Sequence, residues 1–305
     1  MPSNQRAPEL ALSLRAFRFH YRALSQIYFP PGKAANTLRG ALGTALGAME
    51  SKAGSALFSP LVMAGPSGFL NPPRPFILRT QALEAGSPTH NAGSVFFFDL
   101  HLFQLDPAAI RSVAAAFERY SVIGIGPAKG QIQLASISAI NADRTEGDVL
   151  WNESPAAGDP LHLTLVADEA TPVSRLRLNF TTPTELKHES SPATRPEFGI
   201  LFGRLRDRIS ALQTFYGPAP LEMDFQSLAE RAREVQLVES TLDHHAVIRR
   251  SSRTGQRHPI GGFTGTAVYQ GPLTEFVPWL RAGYWTGVGR QTVWGKGVIE
   301  IVEAV

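Results

Sequence analysis

Two stretches of this 305-residue chain share a pattern that limits what it can fold into. Residues 124–134 read GIGPAKGQIQL, and residues 287–301 read GVGRQTVWGKGVIEI, with four extra residues between the glycines of the second. Each places a Gly-x-Gly ahead of a Lys-Gly and then runs into alternating apolar residues, the mark of a half-buried strand. The residues leading up to each stretch also repeat. In the first half, 9–21 and 131–140 alternate as strands, and so do the runs 75–82 and 94–103. Between them, 34–49 carries Leu38, Leu42, Leu46 and Met49 on one helical face. Asp106 and Pro107 open a second helix with Ile110, Val113 and Phe117 facing inward.

The second half follows the same order. Residues 173–180 read as a strand, and Thr194 and Glu197 are expected to form a capping box around Pro196. The helix that follows carries Phe198, Leu201, Leu205, Ile209, Leu212 and Phe215 and stops at Gly217 and Pro218. Strands are expected near 235–249 and 260–270, a short helix containing Pro278 near 274–282, and a last strand at 297–303. A duplicated βαββαβ unit accounts for both the order and the echo. The expectation is an α+β chain of tandem ferredoxin-like domains, residues 1–145 and 161–305, joined by a polar linker at 146–160.

Composition narrows the chemistry. There is no cysteine, which rules out disulfides, thiolate nucleophiles and cysteine zinc sites. Neither an HExxH motif nor a carboxylate cluster with metal-ligand spacing occurs, so no metal site and no cofactor are expected. The N-terminus lacks an apolar signal core and no run is long enough to span a bilayer, which points to a cytoplasmic protein without a membrane partner. Net charge is only +3, so a polyanion would have to be held by local clusters. Of 29 basic residues 24 are arginine, the side chain suited to bidentate phosphate contacts.

The glycines at 287–297 permit positive φ, and successive N–H groups in such a turn can line an anion site, with Gly287, Gly289, Arg290 and Lys296 as its residues. A dinucleotide fingerprint needs its glycines after a strand and before a helix, the reverse of the order here. The alternative is a purely structural turn packed by Trp285 and Trp294. Arg18 and Arg22 share one face of the first strand with His20, opposite Phe17, Phe19 and Tyr21, and Arg175 and Arg177 repeat this on the second domain's first strand. RRSSRTGQRH (249–258) gathers Arg249, Arg250, Arg253 and Arg257 without an acid, a composition able to meet a phosphate backbone. His244 and His245 are adjacent, so in a strand they point to opposite faces and make a poor metal pair.

Residues 261–301 (GGFTGTAVYQGPLTEFVPWLRAGYWTGVGRQTVWGKGVIEI) resemble the C-terminal signature of the Cas-six family, the CRISPR-associated endoribonucleases that process precursor CRISPR RNA. PPGKAANTLRGALGTAL (30–46) is similar to the family's opening helix, while TPTELKHE (182–189) and FGILFGRLRDRISALQTFYG (198–217) are similar to its middle region. The likeness is weakest over 53–93. It implies tandem ferredoxin-like domains that bind a CRISPR repeat RNA and cut it once without metal. The cut is made by attack of a ribose 2′-hydroxyl on the adjacent phosphate, and other CRISPR-associated proteins are further expected partners. Many members carry a histidine in or just after the first helix, whereas residues 21–89 here contain none. The candidates for proton transfer are then His20, Lys33 with Tyr28 nearby, and Lys52, and Arg39 on the first helix joins the candidate RNA contacts. A non-cleaving RNA-binding relative is the alternative, and an unrelated enzyme with a phosphate-bearing ligand a third reading.

Overall fold

The structure, a computed structural model, describes residues 10–50, 52–58, 60, 72–150, 159–189, 191–246, 248–250, 257–259 and 261–305. Alternation along ALSLRAFRFHYRA makes β1 (Ala11–Ala23), with Phe17, Phe19 and Tyr21 buried. Helix α1 (Ala34–Ala48) buries Leu38, Leu42 and Leu46. Then come β2 (Phe76–Arg79), β3 (Val95–Leu102), α2 (Pro107–Glu118), β4 (Ile132–Ile140) and β5 (Glu146–Val149). Asp106 caps α2 by accepting the Ala108 N–H at 3.1 Å, and Pro107 sits where no N–H is needed. The strands pair antiparallel in the order β2-β3-β1-β4-β5. Phe19 packs 4.3 Å from Phe117 of α2, centroid to centroid, and the Tyr21 hydroxyl donates to the Phe117 carbonyl at 2.8 Å.

The second half gives β6 (Arg175–Thr184), α3 (Phe198–Tyr216), α4 (Phe225–Glu234), β7 (Gln236–His245), β8 (Gly262–Gln270), α5 (Val277–Thr286) and β9 (Ile299–Ala304). Its sheet is antiparallel with the order β7-β8-β6-β9. In both halves the first strand lies between the third and the fourth while the second takes an edge, which is the ferredoxin-like order. Leu176, Leu178 and Phe180 of β6 are buried, as are Phe198, Leu201, Phe202, Leu205 and Ile209 of α3. Tyr269 of β8 ties sheet to helix by donating to the Pro196 carbonyl at 2.8 Å.

The chain divides into two compact units. The N-terminal unit comprises Leu14–Leu161 together with Thr292–Gly295, and the C-terminal unit comprises His162–Gln291 and Lys296–Val305 with the residues up to Ser13. The division falls close to the expected linker, but residues 146–149 form β5, paired with β4, rather than unpaired chain. Residues 75–82 give only the four-residue β2, and Gln81–Ala85 turns helical. The expected capping box does not form. Glu197 is itself the cap residue, in extended conformation and without a side-chain cap bond, and its carboxylate lies 3.7 Å from Arg195 instead. Phe215 is half-buried, and Phe202 takes the inward place in the stripe. Pro278 lies in the first turn of α5, where a proline costs the helix nothing. Helix α4 interrupts the repeat, capped by Asp224, which accepts the N–H groups of Gln226 and Ser227 at 3.0 Å each. No helix among the described residues is long and apolar enough to cross a membrane.

Candidate nucleic-acid interface

On β1 the polar residues alternate with the buried rings, so Arg18, His20 and Arg22 share the sheet face turned away from the helices. Arg18 stands directly opposite Asp99 of β3 and holds it with two hydrogen bonds, Nε to Oδ1 at 2.7 Å and Nη2 to Oδ2 at 2.9 Å. Its guanidinium lies 4.2 Å above the Phe97 ring. Burial lifts the Asp99 carboxyl above its ordinary value, and the paired Arg18 offsets part of that lift. His20 Nε2 is 2.7 Å from Glu146 Oε1 of β5, with Arg18 Nη1 3.5 Å from the other carboxylate oxygen. For Glu146, burial acts upward, but Ser138, His20 and Arg18 together outweigh it, and its carboxyl sits below the usual value. The ladder between β1 and β4 slips beside His20, placing this ring next to a bulge, a device that re-aims side chains. Arg22 is exposed and reaches the Gly93 carbonyl at 3.3 Å.

The remaining proton-transfer candidates surround the start of α1. Tyr28 pairs with Thr89 in a two-residue ladder and is 44% exposed. Lys33 is the cap residue of α1, its N–H donating to the Pro30 carbonyl at 2.9 Å. Lys52 is exposed at the start of the short helix Lys52–Phe58. Among the described residues no hydrogen bond joins the side chains of Tyr28, Lys33 and Lys52 to one another. Arg39 lies over two rings, 4.9 Å from Phe58 and 5.2 Å from Trp294, which makes it a packed side chain as well as a cation.

In the C-terminal unit Arg175 is exposed, and Arg177, on the same face of β6, lies 3.6 Å from Glu303. Beyond β7 the backbone continues into a small antiparallel ladder, Ile248–Arg250 with Arg257–Pro259, which pairs Arg249 with His258 and Arg250 with Arg257. Arg253 lies outside the described residues. At the root of this ladder a cleft of about 490 Å³ is lined by Thr184, Glu185, His244, His245, Gly262 and Phe263 among others. His245 Nε2 is 2.7 Å from Thr264 Oγ1, while His244 faces Phe263 edge-on at 6.0 Å. Among the described residues no group of three or more His, Cys, Asp or Glu side chains could hold a metal ion.

The glycine turn departs from its expected chemistry. Gly287, Gly289 and Gly297 all have positive φ. However, the N–H of Gly287 donates to Gly283, that of Val288 to Gly297, that of Arg290 to Glu185 and that of Gly297 to Pro183. These amides are satisfied by the protein and do not form an anion cradle. Glycine is required there by close approach, since a Cβ on Gly297 would stand 2.0 Å from the Val288 carbonyl oxygen and one on Gly289 2.3 Å from that of Glu185. Lys296 is only 3% exposed. Arg290 is the cation the turn presents to solvent, with 58% of its side chain exposed and Nη1 2.7 Å from Glu185 Oε1. Arg208 of α3 steadies the entry to the turn by donating Nε to the Thr286 carbonyl at 2.6 Å, a bond that no local pattern in the sequence announces.

Comparison with known proteins agrees with this layout. Residues 178–299 match the family model of the CRISPR-associated endoribonuclease Cas6, and residues 12–161 match a model described as an N-terminal domain. No curated protein matches the chain in sequence. Among solved structures, a Cas6 product complex is similar with a TM-score of 0.61 and 18% identity, over 95% of this chain and all of that one. Thermus thermophilus Cas6 is similar at 0.54 and 16% identity, over 97% of this chain and 100% of that one. A partial Cas6-RT-Cas1–Cas2 complex is similar at 0.60 and 11% identity, over 98% of this chain and 47% of the matched one. Residues 178–299 thus resemble the Cas6 endoribonuclease family, and the likeness in fold extends over nearly the whole chain.

Proposed function

We propose that this protein binds a CRISPR repeat RNA and cuts it once, without metal, to release guide RNA. The observation that carries this reading is the match of residues 178–299 to the Cas6 endoribonuclease family. The geometry adds cationic side chains that a polyanion can reach, at Arg22, Arg175 and Arg290. The reaction needs a base to take the proton of a ribose 2′-hydroxyl as its oxygen bonds to phosphorus. It also needs an acid to protonate the departing 5′-oxygen, leaving a cyclic phosphate. His20, oriented by Glu146 at 2.7 Å, is the candidate whose partner is already in place, with Tyr28, Lys33 and Lys52 as the other candidates. A Cas6 product complex and a Cas6-RT-Cas1–Cas2 complex among the similar structures support repeat RNA and other CRISPR-associated proteins as partners.

Incubating the purified protein with its repeat RNA in excess chelator is expected to give one defined cut with a cyclic phosphate end. His20→Ala should slow that cut by about 100-fold or more. An undiminished rate in His20→Ala would remove His20 from the chemistry. The absence of histidine from residues 21–89 supports a second reading: an RNA-binding Cas6 relative that does not cleave. Tight binding without a cut in the same assay would establish it. In either case, replacing Arg249, Arg250 and Arg253 by alanine is expected to weaken binding and flatten its salt dependence, because phosphate neutralisation sets that slope.

A further inference from the structure

Helices α3 and α4 of the C-terminal unit enclose a cleft of about 480 Å³ that neither the sheet face nor the glycine turn shares. Arg204, Arg206 and Arg233 line it with His188, and Glu197 is the one carboxylate among its lining residues. The three guanidiniums are held differently. Arg206 is fixed, bonded to Asp207 at 2.7 Å and to the Phe225 carbonyl at 3.2 Å, so its charge is already met by a carboxylate. Arg204 has only a 3.7 Å approach to Asp207 and is 46% exposed. Arg233 is exposed and makes no hydrogen bond or ion pair among the described residues.

Two glycines one helical turn apart shape the cleft. A Cβ on Gly199 would come 3.2 Å from Arg233 Cγ, so its absence lets the arginine stem lie against α3, whereas a Cβ on Gly203 would meet nothing within 4 Å. The open volume above Gly203 is therefore unfilled space beside two available guanidiniums. A second hollow of about 360 Å³, which shares His188, Glu197 and Ile200 and is also lined by Glu189, extends the cleft toward Ser191 and Arg195, the latter 3.7 Å from Glu197. Guanidiniums spaced along the α3 and α4 end of such a furrow suit a chain of phosphates better than a single compact anion.

We infer that this furrow is a second track for RNA phosphates. Leu176, Leu178 and Phe180 point toward the helices, which puts Arg175 and Arg177 on the opposite side of the sheet from α3. An RNA strand that uses both tracks would pass around the C-terminal unit rather than across one surface. The identity of the polymer rests on the proposed repeat-RNA binding, while the anion chemistry of the cleft does not.

Gly203→Leu fills the space with a better helix former and should leave the melting temperature equal or higher. Arg204→Gln with Arg233→Gln removes the two available cations. Measured by titration of the full protein with repeat RNA across salt concentrations, the double variant should bind about 10-fold more weakly, with a salt slope reduced by about 1.4, or roughly 0.7 for each phosphate left unneutralised. Gly203→Leu should weaken binding in the same direction. Hydroxyl-radical footprints should lose protection over one segment of the RNA in both variants, with the rest unchanged. Unchanged affinity, slope and footprint in folded variants that still bind RNA would overturn the second track and leave repeat binding intact. No RNA binding by the parent protein would overturn the repeat-RNA reading and the track's polymer with it. Binding of inorganic phosphate or a mononucleotide in the cleft, without any effect of the variants on RNA, would assign the cleft to a small phosphate ligand and overturn the track.

Discussion

The two units run the same connection at their second helix and treat it differently. In the N-terminal unit, Ile125 and Gly130 exchange N–H···O bonds of 2.9 Å each, closing a small turn that leaves Lys129 exposed. In the C-terminal unit the Val288 N–H donates to the Gly297 carbonyl at 2.8 Å, the matching closure, but the longer turn between them buries Lys296. Thr292–Gly295, part of the longer turn, counts with the N-terminal unit, and Val293 sits in that unit's hydrophobic core. The sheet faces differ in the same spirit. In the N-terminal unit Arg18 and His20 are engaged by Asp99 and Glu146, whereas in the C-terminal unit Arg175 is exposed and Arg290 projects with more than half its side chain in solvent. Arg22 of β1 remains exposed, so the contrast lies between Arg18 and His20, whose partners are within the protein, and Arg175, which a phosphate ligand can reach.

The largest expected effect comes from the closure itself. Gly297→Ala forces a Cβ onto the Val288 carbonyl at positive φ and should cost about 3 kcal/mol or more, lowering the melting temperature by roughly 6–12 °C. Gly126→Ala, whose Cβ would stand 2.9 Å from the Tyr28 carbonyl oxygen, should cost less. Equal losses would show that the two turns are equally constrained. Next is the pair of lysines. Lys296→Ala removes a buried, engaged ammonium and should cost about 2 kcal/mol in thermal or denaturant unfolding, while Lys129→Ala should stay within about 0.5 kcal/mol.

Arginine replacements then separate the faces. Arg175→Ala and Arg290→Ala should each weaken RNA binding on the order of 5-fold with little change in melting, and Arg18→Ala should show the reverse. A dominant RNA defect in Arg18→Ala would erase the contrast between the units. The smallest effect is electrostatic. The folded-state carboxyl of Glu146 lies below its ordinary value, so the stability it contributes is complete above the normal carboxylate range and drains as pH falls through the folded value. Glu146→Gln should melt about 1–3 °C lower at neutral pH and converge with the parent as pH falls through the folded carboxyl's value. A constant gap across that range would assign the loss to packing instead.

Much of this fold can be read from periodicity. Alternation in AFRFHY separates rings from cations, and Asp106-Pro107 marks a helix start, because both signals act within a few residues and the structure keeps them. Helix α4 is less legible, since only Leu228 and Ala232 of its ten residues are buried. The Thr194 and Glu197 spacing suggests a cap, but the helix starts one residue after Glu197 and places that carboxylate outside its first turn. The candidate site is harder. That Arg18 meets Asp99, or that Glu146 comes beside His20, depends on strand register across long separations, which composition does not encode. The exposed amides expected of a glycine-rich turn fail for a related reason, because whether an N–H is open depends on which carbonyl arrives opposite it.

The three buried tyrosines give each unit a natural indicator. Tyr21 and Tyr120 in one unit and Tyr269 in the other are pushed well above their ordinary value, chiefly by burial. In alkali these phenols should resist ionising until the surrounding unit opens, so phenolate absorbance would report cooperative unfolding without any attached dye. Replacing Tyr269 by phenylalanine would remove the C-terminal unit's one fully buried phenol among the described residues, so that the signal delayed by burial would come from Tyr21 and Tyr120 of the N-terminal unit.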